Sequence, residues 1–183
     1  MPREHTGPAT GLRRRLGLAA AGLALGLSAL LAPSCGDGSP AEMAAWARAQ
    51  EDGCRAAEAA RAAGRLDEAR ALLSELVFTA APEAPLSPAA RALSASVAFD
   101  LGRVELEDGR PAEALSNADR GLFTLAARAE PPATVLTASL HALRALALEG
   151  LARQDEAIAA WEAAQRVHAQ LFDQALGAPE AAP

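Results

Sequence analysis

One short stretch, Gly64-Arg65-Leu66-Asp67-Glu68-Ala69, constrains this chain more than any other because something close to it comes back twice. It returns as Gly109-Arg110-Pro111-Ala112-Glu113-Ala114 and again as Ala152-Arg153-Gln154-Asp155-Glu156-Ala157. Each copy is a small residue, Arg, a variable residue, a short polar or small residue, Glu and Ala, and each joins two helix-like runs. Ala69 and Ala114 are 45 residues apart, Ala114 and Ala157 43. Self-similarity at this period marks an array of one repeated helical hairpin, because a single hairpin cannot bury its apolar face alone. Three hairpins are near the minimum that buries a continuous face.

Composition supports the helical half of that statement. Alanine fills 50 of 183 positions, and aromatics only 3%. Alanine is the strongest helix former and lets helices approach closely, at the expense of buried area per residue. β-Branched residues are scarce, so the fold class is all-α: three antiparallel helical hairpins stacked as a short solenoid, with a compact six-helix bundle as the alternative.

The punctuation places the six helices. Ser39-Pro40-Ala41-Glu42 reads as a capping box with proline in the first turn, and Ser87-Pro88 repeats the cap-then-proline start. The expected helices run about 41–63, 66–79, 88–108, 111–129, 133–151 and 154–176, with a loose tail over 177–183. Proline-containing breaks at Ala80–Pro85 and Glu130-Pro131-Pro132 separate the hairpins, and Gly177-Ala178-Pro179 stops the last helix. In that last helix Ile158, Trp161, Leu171 and Phe172 lie on one side, and Arg166, Gln170, Asp173 and Gln174 on the other. This is the layout of a terminal helix with one face to water.

Residues 1–34 read as an export signal. Arg13-Arg14-Arg15 is a positive leader, followed by an apolar run from Leu16 to Ala32, short of the ~20 residues that a membrane span needs. Residues 35–40 form a linker. Leu30-Leu31-Ala32-Pro33-Ser34-Cys35 resembles the lipobox of bacterial lipoproteins, which implies acylation of Cys35 and a lipid anchor in the cell envelope. Ala32 and Pro33 depart from the usual pattern, and Ala32-Pro33-Ser34 also fits ordinary signal cleavage at the same bond. The alternative is therefore a periplasmic or secreted soluble chain. A thiol at Cys35 left free would also allow a bond to Cys54.

From residue 41 to 176 the repeats resemble the tetratricopeptide family. The small residue of the first helix is Ala57, Gly102 and Ala145, the residue before the turn is Gly64, Gly109 and Ala152, and the early alanine of the second helix is Ala69, Ala114 and Ala157. The period departs from the family's 34 residues, and most aromatic positions are missing, Trp161 being the exception. The resemblance implies a groove on the first helices that holds partner segments. The matching positions are Cys54, Glu58 and Arg61, then Phe99, Arg103 and Glu107, then Leu146 and Glu149. Of these, Arg61, Phe99, Arg103, Glu107 and Glu149 form the expected partner-binding set, the arginines supplying forked donors for carboxylates and Phe99 an apolar anchor.

No pattern of a nucleophile, metal centre or phosphate loop is present, so the reading is non-enzymatic, with no cofactor and no metal. The chain has no Lys and no Tyr, which removes lysine-based and tyrosine-based catalysis. Without residues 1–34, 13 Arg face 22 acids, a net charge of −9, which argues against nucleic acid as a partner. His168, on the Trp161–Leu171 stripe, reads as a core or boundary histidine; His141 has no metal-spaced companion. The expected partners are other proteins or peptides, with the membrane reached through the N-terminal lipid. The runner-up is a secreted structural component of an envelope complex.

Overall fold

The computed structural model describes residues 39–82, 86–126 and 130–177. The signal, Cys35 and most of the expected linker lie outside the described residues, as does the tail from 178. Six helices follow one another: α1 (Pro40–Ala62), α2 (Leu66–Phe78), α3 (Pro88–Glu107), α4 (Pro111–Ala126), α5 (Val135–Gly150) and α6 (Gln154–Gly177). They make up 84% of the described residues, among which there is no strand, so the fold is all-α as the alanine content and punctuation predict.

The helix ends have local causes. At Ser39 the hydroxyl accepts from the Glu42 N–H at 3.2 Å while the Glu42 carboxylate accepts from the Ser39 N–H at 2.8 Å, which closes the capping box. Ser87 caps α3 through its hydroxyl alone, accepting from the Ala90 N–H.

The three repeated stretches form one turn three times. Arg65, Arg110 and Arg153 donate their N–H back to the carbonyls of Ala60, Glu105 and Leu148, and the preceding residues donate to Arg61, Leu106 and Glu149. Such a helix end needs one residue in the left-handed region. Gly64 (φ 76°) and Gly109 (φ 74°) occupy it at little cost, whereas the third turn forces Ala152 to φ 58°. The recurrent Arg and Glu then pair three residues apart: Arg65–Glu68 (3.1 Å), Arg110–Glu113 (2.6 Å) and Arg153–Glu156 (2.6 Å). The motif is thus a turn with its own ion pair.

Packing follows chain order. Within each hairpin the two helices lie against each other, α2 packs on α3, α4 packs on α5, and the first helices touch in the sequence α1–α3–α5. Among the described residues α1 meets neither α5 nor α6, and α6 packs on α5 alone. The core is accordingly a chain of small clusters shared between neighbours. Ala57, Ala60, Ala69 and Leu73 meet Val97, Leu101 and Val104, and Leu106, Ala114 and Ala118 meet Leu143 and Ala147. At the end of the stack Ala145 and Leu148 meet Ala157 and Ala160. Ala57, Gly102 and Ala145, the small residues assigned to the helix contacts, are all buried. A Cβ added at Gly102 would sit 2.7 Å from Leu143 Cδ2 and 3.2 Å from the Ala114 carbonyl oxygen, which is why that position is glycine.

Two expectations are corrected. The stripe on α6 faces inward only in part: Ala157, Ala160 and Ala164 are the buried residues, Trp161 packs half-buried against them and Leu171 is half-buried, while Ile158 is 56% and Phe172 63% exposed. Helices in contact through alanine approach too closely to seat larger side chains between them, so the bulkier apolar residues are displaced to the rim. His168 is exposed, not a core or boundary residue, because it lies beyond Ala164, the last buried position of α6.

Candidate functional site

The seam between α1 and α3 gathers most of the residues expected in the groove. The Arg61 guanidinium donates to Glu107 Oε1 at 2.8 Å from Nη1, and to both Glu58 oxygens from Nε and Nη2. Arg103 donates to Asp100 at 3.3 Å, and its guanidinium lies 5.6 Å from the centre of the Phe99 ring. Arg61, Phe99, Arg103 and Glu107 therefore share one face, and the Arg61–Glu107 pair ties the first hairpin to the second.

Each member of that face already has a use within the chain. Arg61 holds the Glu58 carboxyl below its ordinary range, and Arg61 is itself raised, first by its hydrogen bonds to Glu58. Burial pushes Asp100 up, an effect that Arg103 opposes. Phe99 is half-buried and packs toward the clusters between α3, α4 and α5. Cys54, half-buried beside these groups, has its thiol pushed up to about 12 by burial and by the charges of Asp100 and Glu51. Such a thiol stays protonated and is a poor nucleophile. The cleft that Cys54, Arg61, Asp100 and Arg103 line holds about 10 Å³, no more than one water.

Glu149 is not brought to this seam. It accepts from Trp161 Nε1 at 2.8 Å within the third hairpin, and its neighbour Leu146 packs against the α3–α5 cluster. His141 on α5 is half-buried, with Nδ1 buried and unpartnered. Burial, then Arg144 and Arg166, lower its pKa, so the ring is neutral at pH 7. No group of three metal-ligating side chains is assembled among the described residues.

The larger opening lies elsewhere, and the repeat alignment alone does not assign it. A groove of about 210 Å³ runs between α2 and α4 over α3, with Phe78, Leu101, Glu105, Glu113, Asn117 and Arg120 in its walls. Its floor holds a buried polar pair, Asn117 Nδ2 donating to Glu105 Oε2 at 2.6 Å. The sequence does carry a signal for it. In the register set by the turns, Glu105 corresponds to Ala60 and Leu148, and Asn117 to Leu72 and Ala160, so polarity enters these positions in the middle hairpin alone.

The described residues thus define a class, an all-α stack of three hairpins whose ion pairs mostly link residues three apart, with Arg61–Glu107, Arg70–Asp108 and Arg144–Asp119 joining neighbouring hairpins. Compared with known proteins, the chain matches no family model, no curated protein and no solved structure.

Proposed function

We propose that this chain is a non-enzymatic scaffold of the cell envelope, anchored through lipid on Cys35, that holds a segment of another protein along its row of first helices. The observation that carries this reading is the continuous face at the α1–α3 seam, where Arg61, Glu107, Phe99 and Arg103 from two hairpins lie together. Forked guanidinium donors beside an aromatic ring are what recognition of an extended or helical segment uses. The acidic balance without residues 1–34 supports a protein partner over a nucleic acid. No helix of the described residues is long and apolar enough to cross a membrane; attachment in this reading depends on the lipid, whose chains contribute about 0.8 kcal/mol per buried CH₂.

Crosslinking of the tagged chain in intact cells, with identification of what it captures, tests the partner. Phe99→Ala and Arg103→Glu should each weaken that complex by more than ~1 kcal/mol with helical content unchanged. Wild-type affinity in both variants would remove the first-helix face from consideration. Cys35→Ala should shift the chain from the membrane to the soluble fraction or block its processing; an unmodified Cys35 at the mature N-terminus would refute the anchor.

A further inference from the structure

Glu105 is 6% exposed, and among the described residues its carboxylate forms no ion pair. Its single hydrogen bond, from Asn117, engages Oε2. The nearby cations are committed elsewhere. Arg110 pairs with Glu113 at 2.6 Å, Arg70 pairs with Asp67 and with Asp108, and Arg120 lies 5.4 Å from the centre of the Phe78 ring. A buried carboxylate without a cation is unfavourable for folding. The fold does not demand one here, since the equivalent positions are Ala60 and Leu148 and both are fully buried. Burial accordingly raises the Glu105 pKa, opposed first by the hydrogen bond from Asn117 and then by Arg110 and Arg70, while Glu113 adds to the rise.

Above Glu105 the groove is open. Its walls are mostly polar (Ser74, Glu113, Ser116, Asn117 and Arg120), and Leu101 and Phe78, the latter 77% exposed, add apolar surface. A volume of about 210 Å³ is many times the roughly 10–15 Å³ that one water needs, so a side chain can enter. A negative charge at the base of a slot that offers Phe78 and Leu101 as apolar surface complements a long aliphatic stem with a cationic tip.

We propose that the α2–α3–α4 groove is a second binding site, which takes an arginine or lysine side chain presented by a partner protein, its charge against Glu105 and its stem along Phe78 and Leu101. This site stands independently of the first-helix face. Arg120, at the rim over Phe78, is a like charge that the entering cation must pass, and it sets the selectivity of the slot.

Titration of the full chain with a short alanine-based peptide carrying one arginine, followed through the Asn117 side-chain amide by NMR, tests this. A saturable shift is expected, at least about tenfold weaker when citrulline replaces the arginine. Glu105→Gln should abolish that preference for charge, and Arg120→Gln should strengthen binding of the arginine peptide. Glu105→Leu, which copies the third hairpin, serves if the glutamine variant folds poorly, and it too should lose the arginine peptide. Equal affinity for the arginine and citrulline peptides, unchanged binding in both Glu105 variants, or no saturable shift would each overturn the site. Tighter binding of free spermidine than of the arginine peptide would overturn the assignment to a protein side chain.

Discussion

Ala152→Gly should make the protein more stable. Ala152 sits at φ 58° in the third turn, where the first two turns place Gly64 and Gly109. For a residue with a Cβ the left-handed conformation costs about 1–2 kcal/mol. Glycine relieves that strain but has more freedom to lose from the unfolded chain, by about 0.5–1 kcal/mol. The net expectation is a gain of about 0.5–1 kcal/mol. The reciprocal changes Gly64→Ala and Gly109→Ala should lose about 1 kcal/mol each. A Cβ at either glycine would meet nothing within 4 Å, so their loss is conformational and not steric. Urea unfolding followed by circular dichroism reads these differences as shifts of midpoint at constant m, and thermal unfolding should move by about 3 °C per kcal/mol for a domain of this size. If Ala152→Gly is neutral or destabilising while Gly64→Ala and Gly109→Ala cost what is expected, no strain is stored at Ala152 and the third turn is not equivalent to the others.

Gly102→Ala should cost about 1–3 kcal/mol, because its Cβ would meet Leu143 at 2.7 Å and the Ala114 carbonyl at 3.2 Å; Gln165→Ala, at an exposed position of α6, should be nearly neutral by the same urea assay. Cys54 should resist alkylation at pH 8 in the folded protein and react readily in denaturant. Its folded pKa, raised to about 12, keeps the thiol protonated across the ordinary pH range. Mass spectrometry of iodoacetamide-treated samples checks this, and equal labelling in both states would refute it.

The helices were legible because their ends are written in residues with one physical meaning. Serine followed by proline starts α1 and α3, and the glycine-arginine turns close α1 and α3, so the observed bounds fall within a few residues of those expected. The contact points were legible for the same reason, since only small residues let two helices touch at Ala57, Gly102 and Ala145. The inward face of α6 was not legible. Large residues such as Ile158 and Phe172 suggest the buried side only when large residues do the packing, and here alanines do most of it, with Trp161 half-buried beside them. Nor was the pairing of Arg61 with Glu107 legible. Those residues are 46 apart in sequence, beyond the reach of any local spacing rule, and it takes the stacking of α1 on α3 to join them.

That pairing decides how the first-helix face would work. Glu58 binds Arg61 through two hydrogen bonds on its own helix, and Glu107 takes the remaining Nη1 at 2.8 Å from the neighbouring hairpin. A partner carboxylate approaching Arg61 therefore competes with Glu107 for the guanidinium charge and meets the repulsion of both acids. Glu107→Gln keeps the shape, and a neutral amide oxygen still accepts from Arg61, so stability should fall by no more than about 1 kcal/mol. The guanidinium would then carry less compensating charge. A short glutamate-rich peptide, measured by calorimetry at low salt, should bind Glu107→Gln about threefold or more tightly than the wild-type chain. In about 1 M salt, where screening acts over roughly 3 Å, the two should converge. Equal or weaker binding to Glu107→Gln at low salt would mean that Arg61 joins the two hairpins and receives no partner, leaving Phe99 and Arg103 as the only contacts that face can offer.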